Sequence, residues 1–178
     1  MSGPESSGGL HFDHFDWLAP WYERFIRKPD VKMLTELINT SPQNRLLDVG
    51  GGTGRVAQSL VGLVHSAWVL DISLGMLYEA LDRKSLRLCQ GTSERLPFRE
   101  GAFDRIIAVD SFHHFGNHTL AVDEMMRILA PGGRLVVEEP DIRRWPVKLV
   151  AFAERLMLMD SHFYTLPELV ALFEGQHR

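Results

Sequence analysis

A single cysteine, Cys89, in a chain of 178 residues excludes an internal disulfide, so the fold has to be held by its core alone. Apolar runs long enough to cross a bilayer are missing, which leaves no candidate membrane span. Positive charge is not in excess: 19 Lys and Arg stand against 23 Asp and Glu, a formal net charge of -4. A chain of that sign has no field to attract phosphate backbones or anionic lipid, so nucleic acid is not an expected partner. Residues 1–9, rich in Ser and Gly, lack the basic and apolar blocks of a secretory signal. The expectation is a disordered leading segment on a cytoplasmic protein.

What is present suits one globular domain, expected over residues 10–178. The chain is long enough to bury a core, and 45% of it is hydrophobic. Phe12, Phe15, Leu18, Tyr22, Phe25 and Ile26 recur at helical spacing, with Pro20 breaking the run, and Val31, Leu34, Leu37 and Ile38 mark a second short helix. Beyond Pro42 a strand is expected over 45–49, ending at a glycine run, then a helix over 55–64. Further strands are expected over 67–72, 86–90, 103–110 and 134–138, with helices over 74–81 and 119–129 between them. Strands alternating with helices predict an α/β fold, an open, mostly parallel sheet covered on both faces.

Chemistry is expected first at Gly50-Gly51-Gly52-Thr53-Gly54, between a strand end and a helix start. Residues without a Cβ let the backbone turn sharply and approach a ligand, and free N–H groups at the helix start can meet polar ligand atoms. The turn alone does not name the ligand. Gly52-Thr53-Gly54-Arg55-Val56-Ala57 also satisfies the permissive G-x-G-x-x-A form of a dinucleotide site. Asp71, at the end of the second strand, suits the ribose hydroxyls of any nucleoside cofactor.

The wider pattern carries a resemblance. Leu46-Leu47-Asp48-Val49-Gly50-Gly51-Gly52-Thr53-Gly54 is similar to the first motif of class I S-adenosylmethionine-dependent methyltransferases. Val69-Leu70-Asp71-Ile72-Ser73, Gly91-Thr92-Ser93-Glu94-Arg95-Leu96-Pro97-Phe98, the stretch from Phe103 to His114 and the stretch from Arg127 to Leu135 resemble the motifs that follow, in order. Phe15-Asp16-Trp17-Leu18-Ala19-Pro20-Trp21-Tyr22 resembles a segment of the ubiquinone and menaquinone biosynthesis group within that superfamily.

The resemblance implies a Rossmann-like class I methyltransferase fold: an N-terminal helical lid over about 12–40, a core over about 44–140 and a C-terminal helical segment over 145–178. It implies S-adenosyl-L-methionine as cofactor, S-adenosyl-L-homocysteine as product and a small-molecule acceptor. Asp48 with the backbone of Gly50, Gly52 and Gly54 would hold the amino-acid end of the cofactor. Asp71 would take the ribose, Ile72 the adenine, Asp110 and Ser111 the surroundings of the sulfonium, and Tyr22 would reach in from the lid. Thr92 stands where the family usually has an acid, which moves the adenine contact to Ser93 or to backbone. The family closes its sheet with an antiparallel strand pair after a helix similar to Thr165-Leu166-Pro167-Glu168-Leu169-Val170-Ala171-Leu172-Phe173. With Arg178 as its last residue, the chain is expected to lack that pair, and the exposed edge at 134–138 invites a homodimer.

His113 and His114, titratable near neutrality and placed just after the fourth strand, are the candidate catalytic bases, one of them facing the pocket. Against this stands the plain alternative that one packs and the other is solvated. His114 and His118 lie four apart, but no further ligand sits at motif spacing and no metal is expected. Cys89 reads as core rather than nucleophile. The stripe Phe12, Phe15, Trp17, Trp21, Tyr22 and Phe25 is either sheet packing or the lid. The apolar segment Trp145, Val147, Leu149, Val150, Phe152, Leu156 and Met157 either covers the sheet or lines a pocket for an apolar or aromatic acceptor. Three function classes remain: a methyltransferase, a dinucleotide-dependent oxidoreductase, and a methyltransferase-like protein that binds cofactor without turnover.

Overall fold

The computed structural model describes residues 30–139 and 164–174. The expected disordered segment, the aromatic stripe with Tyr22 and the apolar segment from Trp145 to Met157 lie outside the described residues.

Helix α1 (Val31–Ile38) is started by Asp30, whose side chain accepts from the Met33 N–H at 3.0 Å, and stopped by Asn39 in the left-handed region at φ 50°. Its Leu34 and Ile38, one turn apart, are both fully buried. The chain then alternates through β1 (Arg45–Val49), α2 (Arg55–Leu60), β2 (Ser66–Asp71), α3 (Leu74–Ala80), β3 (Leu86–Gln90) and β4 (Phe103–Val109). A 3-10 turn (Phe112–His114), α4 (His118–Ile128), β5 (Leu129–Glu138) and α5 (Leu166–Glu174) follow. Ser73 caps α3 through Met76 N–H and Asn117 caps α4 through Leu120 N–H. Thr165 and Glu168 open α5, the Glu168 carboxylate accepting from both the amide and the hydroxyl of Thr165.

The strands lie in the order β3-β2-β1-β4-β5 and every pairing is parallel. Side chains alternate between the faces. Leu47, Val49, Leu70 and Ile106 pack with Val122, Met125 and Ile128 of α4 and with α5, while Leu46, Ala67 and Ile107 pack with α1 and α2. Val69 meets Ala57 and Leu77 of α2 and α3 on that second side. The expected parallel sheet with helices on both faces is therefore present. The chain reverses its direction of travel across the sheet between β1 and β4, and open α/β sheets bind ligands at such a point, beyond the strand ends.

Most boundaries fall within one residue of expectation, and three of those that differ have a visible cause. Helix α2 stops at Leu60 rather than residue 64, because Val61 is extended and Gly62 takes φ 88°. Strand β4 stops at Val109, since Asp110 turns to φ 52°. Strand β5 begins earlier, at Leu129, which pairs with Phe103; Ala130 to Gly133 bow out before Arg134 pairs with Arg105. Among the described strands β5 pairs only with β4, so it is an edge. No helix among the described residues is long and apolar enough to cross a membrane.

Leu47, fully buried at the centre of β1, tests this core. Leu47→Ala is expected to lower the unfolding free energy by about 2–5 kcal/mol in a urea titration.

Candidate functional site

The glycine turn is built on the end of β2. The N–H groups of Gly50 and Gly51 both donate to the Leu70 carbonyl, at 2.8 and 3.2 Å, and Gly52 N–H donates to Asp71 Oδ2 at 2.7 Å. Gly50 sits at φ 68°, and a Cβ there would lie 2.8 Å from the Cβ of Ser111. Only glycine lets the turn pass this close beneath the mouth of β4.

Asp48 is wrapped by this turn and 1% exposed. Its Oδ2 accepts from Ala57 N–H at 3.2 Å, while Oδ1 is buried with no hydrogen-bond partner among the described residues. Burial pushes its carboxyl up to about 7, against the Ala57 N–H; the nearby Asp71 charge adds to the rise and Arg55 opposes it. A buried acceptor left empty is costly, and such a carboxyl suits a ligand that brings a donor or a positive charge.

Beside it opens a cleft walled by Gly50, Gly52, Asp71, Ile72, Met76, Thr92, Ser93, Glu94, Asp110, Ser111, His114 and Phe115. Asp71 has both oxygens engaged, Oδ2 with Gly52 N–H and Oδ1 with Ser73 N–H at 2.9 Å, so it ties down the turn as well as lining the cleft. Ile72 is 58% exposed on the rim. On the loop after β3, Thr92 and Ser93 line the cleft with Glu94, an acid two places beyond the position where one was expected. Burial raises the Glu94 carboxyl, but N–H groups of Asn117, Glu94 itself and Gly116 and the Thr92 side chain outweigh it and hold it below its ordinary value. Glu94, Met76 and Phe115 are cleft residues that the motif pattern did not single out; the acid within Gly91-Thr92-Ser93-Glu94 was the available signal.

The far wall starts at Asp110, whose left-handed backbone turns the chain out of β4. Ser111 donates from its hydroxyl to the Val49 carbonyl at 2.9 Å, locking this turn to β1. The two histidines part company. His113 is 4% exposed and its Nδ1 lies 2.5 Å from Glu139 Oε2, whereas His114 lines the cleft with its ring centroid 4.0 Å from that of His113. Burial and then the charge of His113 push His114 down to about 3. Expected to titrate near neutrality, His114 is instead neutral across the physiological range. His118 turns away, its Nε2 3.0 Å from the Phe112 carbonyl and its ring against Tyr164. Among the described residues, no three His, Cys, Asp or Glu side chains gather as a metal site. Cys89 is half-buried, and burial raises its thiol. Tyr22 lies outside the described residues.

Residues 47–137 match the family model of the methyltransferase domain, and the chain belongs to that family. Membership decides between the two nucleoside readings of the glycine turn. The chain is 35% identical over 106 residues to a demethylmenaquinone methyltransferase of Mycolicibacterium vanbaalenii, covering 58% of this chain and 45% of that protein. It is 33% identical over 114 residues to a ubiquinone/menaquinone biosynthesis C-methyltransferase of Ectopseudomonas mendocina, covering 58% and 44%. The match thus spans less than half the length of either relative. Among solved structures, the YcgJ protein of Bacillus subtilis superposes with a TM-score of 0.73 at 27% identity, over 82% of this chain and 66% of that one. A methyltransferase of Thermotoga maritima, titled a possible histamine N-methyltransferase, gives 0.75 at 24% identity over 90% and 78%, and speaks for the fold alone.

The raised Asp48 carboxyl gives a prediction with a definite sign. Between its ordinary value of 3.8 and about 7 the folded state holds a proton that the unfolded state has lost, so this residue's contribution to stability falls as pH rises through that window. Asp48→Asn removes the slope. In thermal unfolding of the ligand-free protein, the variant's melting temperature is expected to gain on the wild type between pH 4 and pH 7 and to hold its lead above that.

Proposed function

We propose that the chain binds S-adenosyl-L-methionine in this cleft and directs its methyl group to a small, apolar or aromatic acceptor. The observation that carries the reading is the empty, buried Oδ1 of Asp48 inside the glycine turn. An ammonium group satisfies that oxygen and returns the carboxyl to its charged form. Asp71 takes the ribose hydroxyls, Ile72 packs on the adenine, and the loop of Thr92, Ser93 and Glu94 reads the adenine edge. Asp110 and Ser111 stand near the sulfonium. When bound, the cofactor supplies an electrophilic methyl on a positively charged sulfur.

The work left to the protein is alignment and desolvation, with no enzyme nucleophile. Asp71, Glu94 and Asp110 give the cleft an acidic lining that favours a cation. His114, with a conjugate acid near 3, is too weak a base to hold an acceptor's proton at neutral pH. It serves instead as a neutral hydrogen-bonding group that orients the acceptor beside Phe115. His113 supports it from behind.

Calorimetric titration is expected to give saturable binding of S-adenosylhomocysteine and none of NAD; the reverse result sinks the reading. Gly52→Val is expected to abolish that binding. A Cβ at Gly52 points between Met76 Sδ at 3.9 Å and Asp71 Oδ2 at 4.0 Å, into the cleft, and φ 55° strains a branched residue by about 1–2 kcal/mol. Circular dichroism of the variant separates lost binding from lost fold.

We further propose that the chain forms a homodimer along β5, whose outer N–H and C=O groups have no partner strand among the described residues. Light scattering over a dilution series is expected to show a concentration-dependent rise in mass. A monomer at every concentration overturns it.

A further inference from the structure

We infer that Glu139, the residue just past β5, is the positioning residue of the acceptor side of the cleft. The inference rests on the proposed place of His114 there. The Glu139 carboxylate gathers three donors from the segment after β4. Its Oε1 accepts from Ser111 N–H at 3.1 Å and Phe112 N–H at 2.7 Å, and its Oε2 takes His113 Nδ1 at 2.5 Å. Glu139 and His113 have side chains only 9% and 5% exposed. Ser111 and His114 belong to the cleft wall; Phe112 and His113, between them, are buried behind it. One carboxylate therefore holds the backbone of the 3-10 turn on one oxygen and the imidazole behind His114 on the other.

The chemistry of the donors sets the tautomer. An ionised carboxylate only accepts, so His113 must carry its proton on Nδ1. The His113 ring, held in that orientation, lies against His114 at 4.0 Å and backs the second ring in the cleft, without touching any ligand itself.

Glu139→Gln isolates this role. The two backbone N–H groups still require an acceptor and take the amide oxygen, which turns the amide NH2 toward His113 and forces its Nδ1 to become an acceptor. Nitrogen-15 NMR of the imidazoles is expected to show His113 as the Nδ1–H form in the wild type and the Nε2–H form in the variant. The ring signals of His114 are expected to move with it, while S-adenosylhomocysteine affinity stays within about threefold, or under about 1 kcal/mol. Wild-type His113 and His114 signals in Glu139→Gln overturn the inference. Should that variant not fold, His113→Gln leaves the two backbone bonds of Glu139 in place; the His114 ring signals are then expected to move, because the ring packed against it at 4.0 Å is gone, and unchanged His114 signals overturn the inference equally. Loss of all cofactor binding by the wild type would refute the proposed function, yet the tautomer of His113 would still decide the role of Glu139.

Discussion

Two N–H groups, those of Gly50 and Gly51, converge on one carbonyl, that of Leu70, and the cleft is arranged around this convergence. It draws the chain leaving β1 sideways over the tip of β2. That brings Gly52 onto Asp71, leaves Asp48 enclosed beneath, and opens the space at the strand reversal beside β4. The glycines are required by geometry at more than one point: at Gly50 by Ser111 across the gap, and at Gly51 by the Asp48 carboxyl, only 2.6 Å from where a Cβ would stand. The turn gains close packing on both sides and leaves one oxygen of a buried acid without a hydrogen-bond partner among the described residues.

That enclosed acid explains a tension in the site. Asp48 destabilises the empty protein in its charged form, yet the same burial strengthens its attraction for a cation, because few waters compete for it. Asp71 carries the opposite balance. Its two oxygens accept from Gly52 N–H and Ser73 N–H, so its removal would loosen the turn. The two acids are alike in sequence context, each at or beside the end of a strand, but one is enclosed with an oxygen left over among the described residues and the other is a tether.

Legibility in the sequence followed the range of the interactions. Strands buried on both faces, such as Leu46-Leu47-Asp48-Val49 and Ile106-Ile107-Ala108-Val109, announced themselves as apolar runs, and the glycine turn and Asp71 stood at the ends of such runs. Helix α2 was overestimated because Val61 and Val64 continue the apolar pattern that Gly62 interrupts. The early start of β5 was hidden by Pro131-Gly132-Gly133, which reads as a plain turn. The division of labour between His113 and His114 had no local signal: it depends on the 3-10 twist after Asp110 and on Glu139, some 26 residues further on. Pairings of that range leave no periodicity to read.

The excursion from Ala130 to Gly133 has an engineering consequence. It lies at the start of β5, at the opposite end of the parallel sheet from the cleft, and among the described residues nothing stands within 4 Å of a Cβ at Gly132. Register on either side is held independently, by Leu129 against Phe103 and by Arg134 against Arg105. Lengthening this bow adds only the slowly growing entropy of a longer loop, about 0.6 kcal/mol for each doubling. A reporter peptide or affinity handle spliced in beside Gly132 would ride on the rigid sheet while the cofactor end of the molecule stays as it is.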